Sequence, residues 1–97
     1  MDGSGLSAQA AVPYPEHLAS DVSLAAGEEI LWATGPGALE HDVYFGTDFP
    51  LPYQGRQNDA GFDPGALEAG RTHYWRIDEV NVTGVRTGFT WRFTTKQ

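Results

Sequence analysis

Residues 70–84, GRTHYWRIDEVNVTG, constrain the fold more than any other stretch of this chain. His73, Trp75 and Ile77 fall on one side of a two-residue alternation. Tyr74, Arg76 and Asp78 fall on the other. A strand sorts its side chains this way when one face lies in a core and the other in solvent. Glu68-Ala69-Gly70 signals a turn before it, and Asn81 and Gly84 close it. The spacing therefore predicts a central, half-buried strand.

The other segments supply its neighbours. Ala11 to Ser23 carries Pro13 and Pro15, which cannot donate to a ladder, so it reads as an edge strand broken in two. Ile30 to Ala33 is a short strand with Ile30 and Trp32 on one face. Glu40 to Gly46 alternates His41, Val43 and Phe45 against Asp42 and Tyr44. Phe49 to Arg56 holds two prolines and reads as irregular or edge chain, with a short strand at Tyr53 to Gln57. Another short strand is expected around Phe62. Gly88 to Thr95 alternates Phe89, Trp91 and Phe93 against Thr90, Arg92 and Thr94. No stretch shows a sustained helical period. Short strands with turns about every ten residues predict an all-β, two-sheet antiparallel sandwich of about seven strands.

Ninety-seven residues make one domain, and 40% apolar residues with three Trp and five Phe are enough for a core. Residues 1–10, MDGSGLSAQA, read as a flexible tail or linker, and the domain is expected over residues 11–97. A formal charge of −7, with six basic residues scattered singly, argues against nucleic acid and anionic lipid as partners. An acidic surface ordinarily keeps a secreted protein in solution. With no cysteine, disulfides, Cys-containing zinc sites and thiol catalysis drop out together. No apolar run has the length of a membrane span, so membrane insertion is not expected. No signal peptide is visible, and the chain reads as a piece of something longer.

The order of these short words resembles a fibronectin type III domain, an immunoglobulin-like sandwich. Ile30-Leu31-Trp32 resembles the family's second-strand Leu-x-Trp. His41 to Phe45 resembles its third-strand Tyr-x-Val-x-Tyr. Leu67 to Gly84 resembles its sixth-strand region. The chain is also similar to a bacterial variant repeated in large secreted or surface proteins, which reads DVYFGTD…YDPG-LE-G-TYYWRVDEVN…WSFTT. Those words stand here at Asp42 to Asp48, Phe62 to Gly65, Leu67 to Gly70, His73 to Asn81 and Trp91 to Thr95. The resemblance spans residues 12–95. It implies that strands three, six and seven share one sheet and strands one, two and five the other. It also implies a tyrosine at the corner before the sixth strand, bonded through its hydroxyl to nearby backbone. His73 stands at that position. It is expected to be at least partly buried and bonded to backbone near Leu67.

In that register the core comprises Ile30, Trp32, Val43, Phe45, Leu67, His73, Trp75, Ile77, Trp91 and Phe93. Large aromatics bury about 150–250 Å² each, so three tryptophans can anchor a small sandwich without a disulfide. Tyr44, Tyr74, Arg76 and Arg92 point outward from the sheet of the third, sixth and seventh strands. Tyrosine and arginine are enriched in binding hot spots, which makes these four the candidate binding residues. The plainer reading is a solvated cross-strand ladder that stiffens the sheet.

No catalytic, metal or cofactor site is legible. His17, His41 and His73 lie on different segments without metal-ligand spacing. No serine sits in a Gly-x-Ser-x-Gly turn. The carboxylate pairs Glu28-Glu29 and Asp78-Glu79 are expected to be solvated. Asn81-Val82-Thr83 fits a glycosylation sequon, with turn shaping as the ordinary role of Asn81. The resemblance implies a non-catalytic module, monomeric in isolation and extracellular or at the cell surface, whose partners are neighbouring domains of the parent chain. The alternative is a module that binds a polysaccharide or a surface protein through Tyr44, Tyr74, Arg76 and Arg92.

Overall fold

The computed structural model describes residues 9–97, so most of the tail expected over residues 1–10 lies outside the described residues. Nine strands are assigned: β1 (Ala11–Tyr14), β2 (Ala19–Val22), β3 (Ile30–Ala33), β4 (Glu40–Gly46), β5 (Tyr53–Gln57), β6 (Gly61–Phe62), β7 (Thr72–Asn81), β8 (Gly84–Arg86) and β9 (Thr90–Thr95). They form two sheets, β1-β3-β6 and β2-β9-β7-β4-β5, with β8 paired to β7. No helix occurs among the described residues. The molecule is an all-β sandwich of mostly antiparallel strands, compatible with an immunoglobulin-like arrangement.

β7 is the spine, as its alternation predicts. It pairs with β4 from Glu40↔Val80 to Gly46↔Tyr74. On its other edge it pairs with β9 over its first half and with β8 over its second. The last strand thus begins at Thr90 rather than Gly88, and the chain between β8 and β9 leaves the ladder. Gly88 sits in that gap and donates its N–H to Asp78 Oδ1 at 2.9 Å. A Cβ on Gly88 would collide with the carbonyl oxygen of Ile77. Phe89, which the alternation sets on the side of Trp91 and Phe93, falls in the gap and is exposed.

The first strand divides between the sheets. β1 pairs antiparallel with β3, and β2 pairs parallel with β9. This pairing covers the edge of β9, and Trp91 is buried, as its place in the core register predicts. The core contains Ile30, Trp32, Val43, Phe45, Trp75, Ile77, Trp91 and Phe93. Leu67, expected in the core, is only partly buried against its rim. Ala10, placed by composition in the tail, packs within the core.

The described chain starts and ends at opposite poles. Gln9 Nε2 donates to the carbonyl of Thr87, near the end of β7, at 2.9 Å. At the other pole, beside the start of β7, Gly70 N donates to Lys96 O and Lys96 N to Val22 O. The run of chain from Gly70 to Asp78, beside which Thr87 lies, separates the two anchor points by about 26 Å.

Candidate functional site

The outward face of the larger sheet holds all four candidate binding residues, because the β4–β7–β9 register fixes their neighbours. Tyr44 faces Arg76 across β4 and β7, Gly46 faces Tyr74, and Tyr74 faces Arg92 across β7 and β9. The Arg76 guanidinium carbon sits 4.1 Å above the Tyr44 ring centroid, a cation–π contact. The same guanidinium reaches along its own strand to Asp78, with Nε donating to Oδ1 at 2.8 Å and Nη2 to Oδ2 at 3.3 Å. Tyr44 and Arg76 are therefore engaged with each other and with Asp78.

A second pairing lies toward the β5 edge. Arg56 donates to Asp42 through Nε at 2.8 Å and Nη2 at 3.0 Å, and Tyr53 donates its hydroxyl at 3.1 Å. The bond from Arg56 holds the Asp42 carboxyl below the usual carboxylate range, against the opposing effect of burial. Asp42 in turn raises the pKa of Arg56. Tyr53 is pushed up by desolvation first and by the Asp42 carboxylate second. Tyr44 and Tyr53 pack with centroids 5.2 Å apart, which joins the two clusters.

The third part of the face differs. Tyr74 is met edge-on by Phe49, at 5.0 Å and 62°, and Phe49 is 62% exposed. Arg92, opposite Tyr74, is exposed and forms no ion pair among the described residues. Phe49 escaped sequence reasoning because it follows β4 in a proline-bearing loop. Only the return of that loop over the sheet brings it to Tyr74.

A polar cluster lies on the opposite, inner face at the pole where β7 ends. Asp78-Glu79, expected to be solvated, is buried: consecutive strand positions send Asp78 outward under Arg76 and Glu79 into the sandwich, where it is 0% exposed. Glu79 Oε1 contacts His41 Nδ1, its cross-strand partner, and Oε2 accepts the backbone N–H of Gly35 at 2.7 Å. Trp32 Nε1 lies 3.3 Å from the same His41 Nδ1. An indole N–H only donates, so Nδ1 cannot accept it while giving a hydrogen to Glu79. His41 Nδ1 pairs with Glu79, and Trp32 packs edge-on against the imidazole at 5.3 Å and 83°. The cluster ties the β3–β4 connection to β7.

His73 is buried, as expected, between Phe45 and Phe93 at 5.7 and 5.5 Å. Burial lowers its pKa, while a backbone hydrogen bond with Glu68, next to Leu67, pulls it upward. Its Nε2 has no partner. The hydroxyl bond that closes this corner comes from Thr95, whose Oγ1 donates to Glu68 O at 2.6 Å and accepts from Arg71 N at 3.0 Å.

Among the described residues no three His, Cys, Asp or Glu side chains converge as a metal site, and His17 is exposed. In comparisons with known proteins, no family model and no curated protein match this chain.

Proposed function

We propose that the chain is a fibronectin type III-like module of the bacterial secreted or cell-surface variant. In this reading it is non-catalytic and spaces or orients neighbouring domains of a larger protein. The observation that carries the reading is the placement of the described ends at opposite poles of a stiff sandwich. A module so built transmits a fixed length and direction between whatever is joined to it. The sequence words at residues 42–48, 62–70, 73–81 and 91–95 support the family. Function rests on that resemblance and on the shape.

The test is to join a fluorescent reporter domain to each end and measure their separation by energy transfer. A narrow distance distribution is expected, against a broad one for a glycine-serine linker of equal residue count. Equal breadth in the two would remove the spacer reading.

One observation favours a second reading, a binding module on the outer face. Tyr44 and Arg76 are already satisfied, whereas Phe49, Tyr74 and Arg92 present exposed ring surface beside a cation without an acidic partner. Polysaccharide or surface protein would engage that end of the sheet. Amide shifts centred on Tyr74 and Arg92 on adding a glycan panel, abolished by Arg92→Ala, would support it. An unmoved spectrum across the panel would remove its glycan form.

A further inference from the structure

We propose that residues 11–22 form a strained strap that opens while the rest of the sandwich stays folded, and that the edges it uncovers on β3 and β9 accept the same strap from a second copy of the chain. Three non-glycine residues have left-handed backbone: Val12 at φ 50°, Leu18 at φ 74° and Asp21 at φ 54°. All three lie in this one segment. The other left-handed positions among the described residues, six of them, are all glycine. Left-handed backbone crowds the Cβ of an L-residue, and a β-branched residue such as Val12 suffers most.

The strain coincides with broken pairing. Val12 lies where the β1–β3 register shifts between Ala11 and Tyr14. Asp21 lies where the β2–β9 register shifts between Ala19 and Val22. Bulges of this kind ordinarily place glycine at the left-handed position. Here the chain keeps valine and aspartate and carries the strain.

Packing holds the segment only in part: Pro15 is buried and Ala19 and Val22 pack against the core, but its larger apolar side chains lie outside. Val12 is 75% exposed, Leu18 59% and Tyr14 55%. A cavity of about 420 Å³ lies against the strap, lined by residues between Tyr14 and Ser23. Beyond the core contacts of Ala19 and Val22, the segment is held by short ladders and loop bonds, among them Leu18 N to Arg92 O at 2.8 Å and Lys96 N to Val22 O at 2.9 Å. The β4–β7–β9 ladder runs independently of these contacts. Segments with few buried contacts and exposed backbone bonds open locally at low free energy. Strain in sparsely populated backbone persists only where the surroundings enforce it, and it gathers at switching elements.

Once the strap lifts, β3 keeps β6 and β9 keeps β7, and each has one bare edge. An uncovered edge is a template for another strand. The sequence that already fits both edges is the strap itself, so the occupant is the equivalent segment of a second copy.

Native-state hydrogen exchange and peptide capture test this together. Amides of residues 11–22 are expected to exchange more than about tenfold faster than those of β7. Val12→Gly and Asp21→Gly are expected to slow strap exchange by about 2- to 30-fold, since relief of strain exceeds the entropy cost of glycine. A labelled peptide of residues 9–24 is expected to bind the wild-type chain, as read by native mass spectrometry. It should not bind an oxidised Ala11→Cys/Ala33→Cys variant, which ties β1 to its partner position on β3. Strap amides as protected as those of β7 would overturn the proposal. So would glycine variants that leave strap exchange unchanged or speed it, and so would peptide uptake that is absent or equal in the locked and unlocked chains.

Discussion

His73 shows how much one residue can carry. It occupies the place where the resemblance implies a corner tyrosine, and its imidazole is stacked among phenylalanines with Nε2 unpartnered. Its folded pKa is depressed by burial below the ordinary 6.5. The unfolded chain therefore binds the proton more readily, and stability falls as pH drops below 6.5 toward the folded pKa. His73→Phe removes both the orphaned nitrogen and the titration. It should stabilise the protein by about 1–3 kcal/mol at pH 5 and by less at pH 8, measured by urea unfolding. An equal gain at both pH values would mean that His73 does not titrate as described. Glu79 is the opposite case, a buried group whose oxygens are both used. Glu79→Ala strands His41 and the Gly35 N–H together and should cost about 2–5 kcal/mol in the same assay.

Among the elements, β7 was the most legible and the β8–β9 region the least. Alternation from His73 to Ile77 is local backbone geometry, so the sequence displays it directly. The break at Gly88 is not local. It exists because β8 and β9 pair with two halves of one edge, and the crossing chain must pass against Ile77 O. Gly88→Ala should therefore destabilise by about 1–3 kcal/mol or more, although the site lies outside any strand, and calorimetry on the variant would show it. Gly84→Ala is a useful contrast: a Cβ there would meet no atom within 4 Å, and only the backbone angle opposes the change. The division of the first strand was legible from its prolines, which disfavour one continuous ladder. Its strained residues were not, since backbone angle leaves no mark on Val12 or Asp21 in the sequence.

At the scale of the whole molecule, charge is arranged against its average. The chain carries a net −7, yet Arg56, Arg76 and Arg92 share one sheet face. Two are matched by Asp42 and Asp78. Asp42 has its folded pKa held down by Arg56, so its contribution to stability is complete above the ordinary 3.8 and is lost as pH falls below that value. Stability should thus decline in two stages on acidification, first below pH 6.5 through His73 and then below pH 3.8 through Asp42. Asp42→Asn should flatten only the second, as followed by tryptophan fluorescence across a pH series.

Side-chain alternation and turn chemistry were enough to assign the sandwich, its aromatic core and the outward set Tyr44, Tyr74, Arg76 and Arg92. These follow from the two-residue period of a strand, which any segment shows on its own. Which outward groups satisfy one another was decided only by the tertiary structure. Asp42 meets Arg56 from 14 residues away, and His41 meets Glu79 from 38. Such pairs depend on the register between distant strands, and register is settled by the packing of all of them at once. For the same reason Phe49 reached Tyr74, and the Asp78-Glu79 pair was drawn under cover on opposite faces.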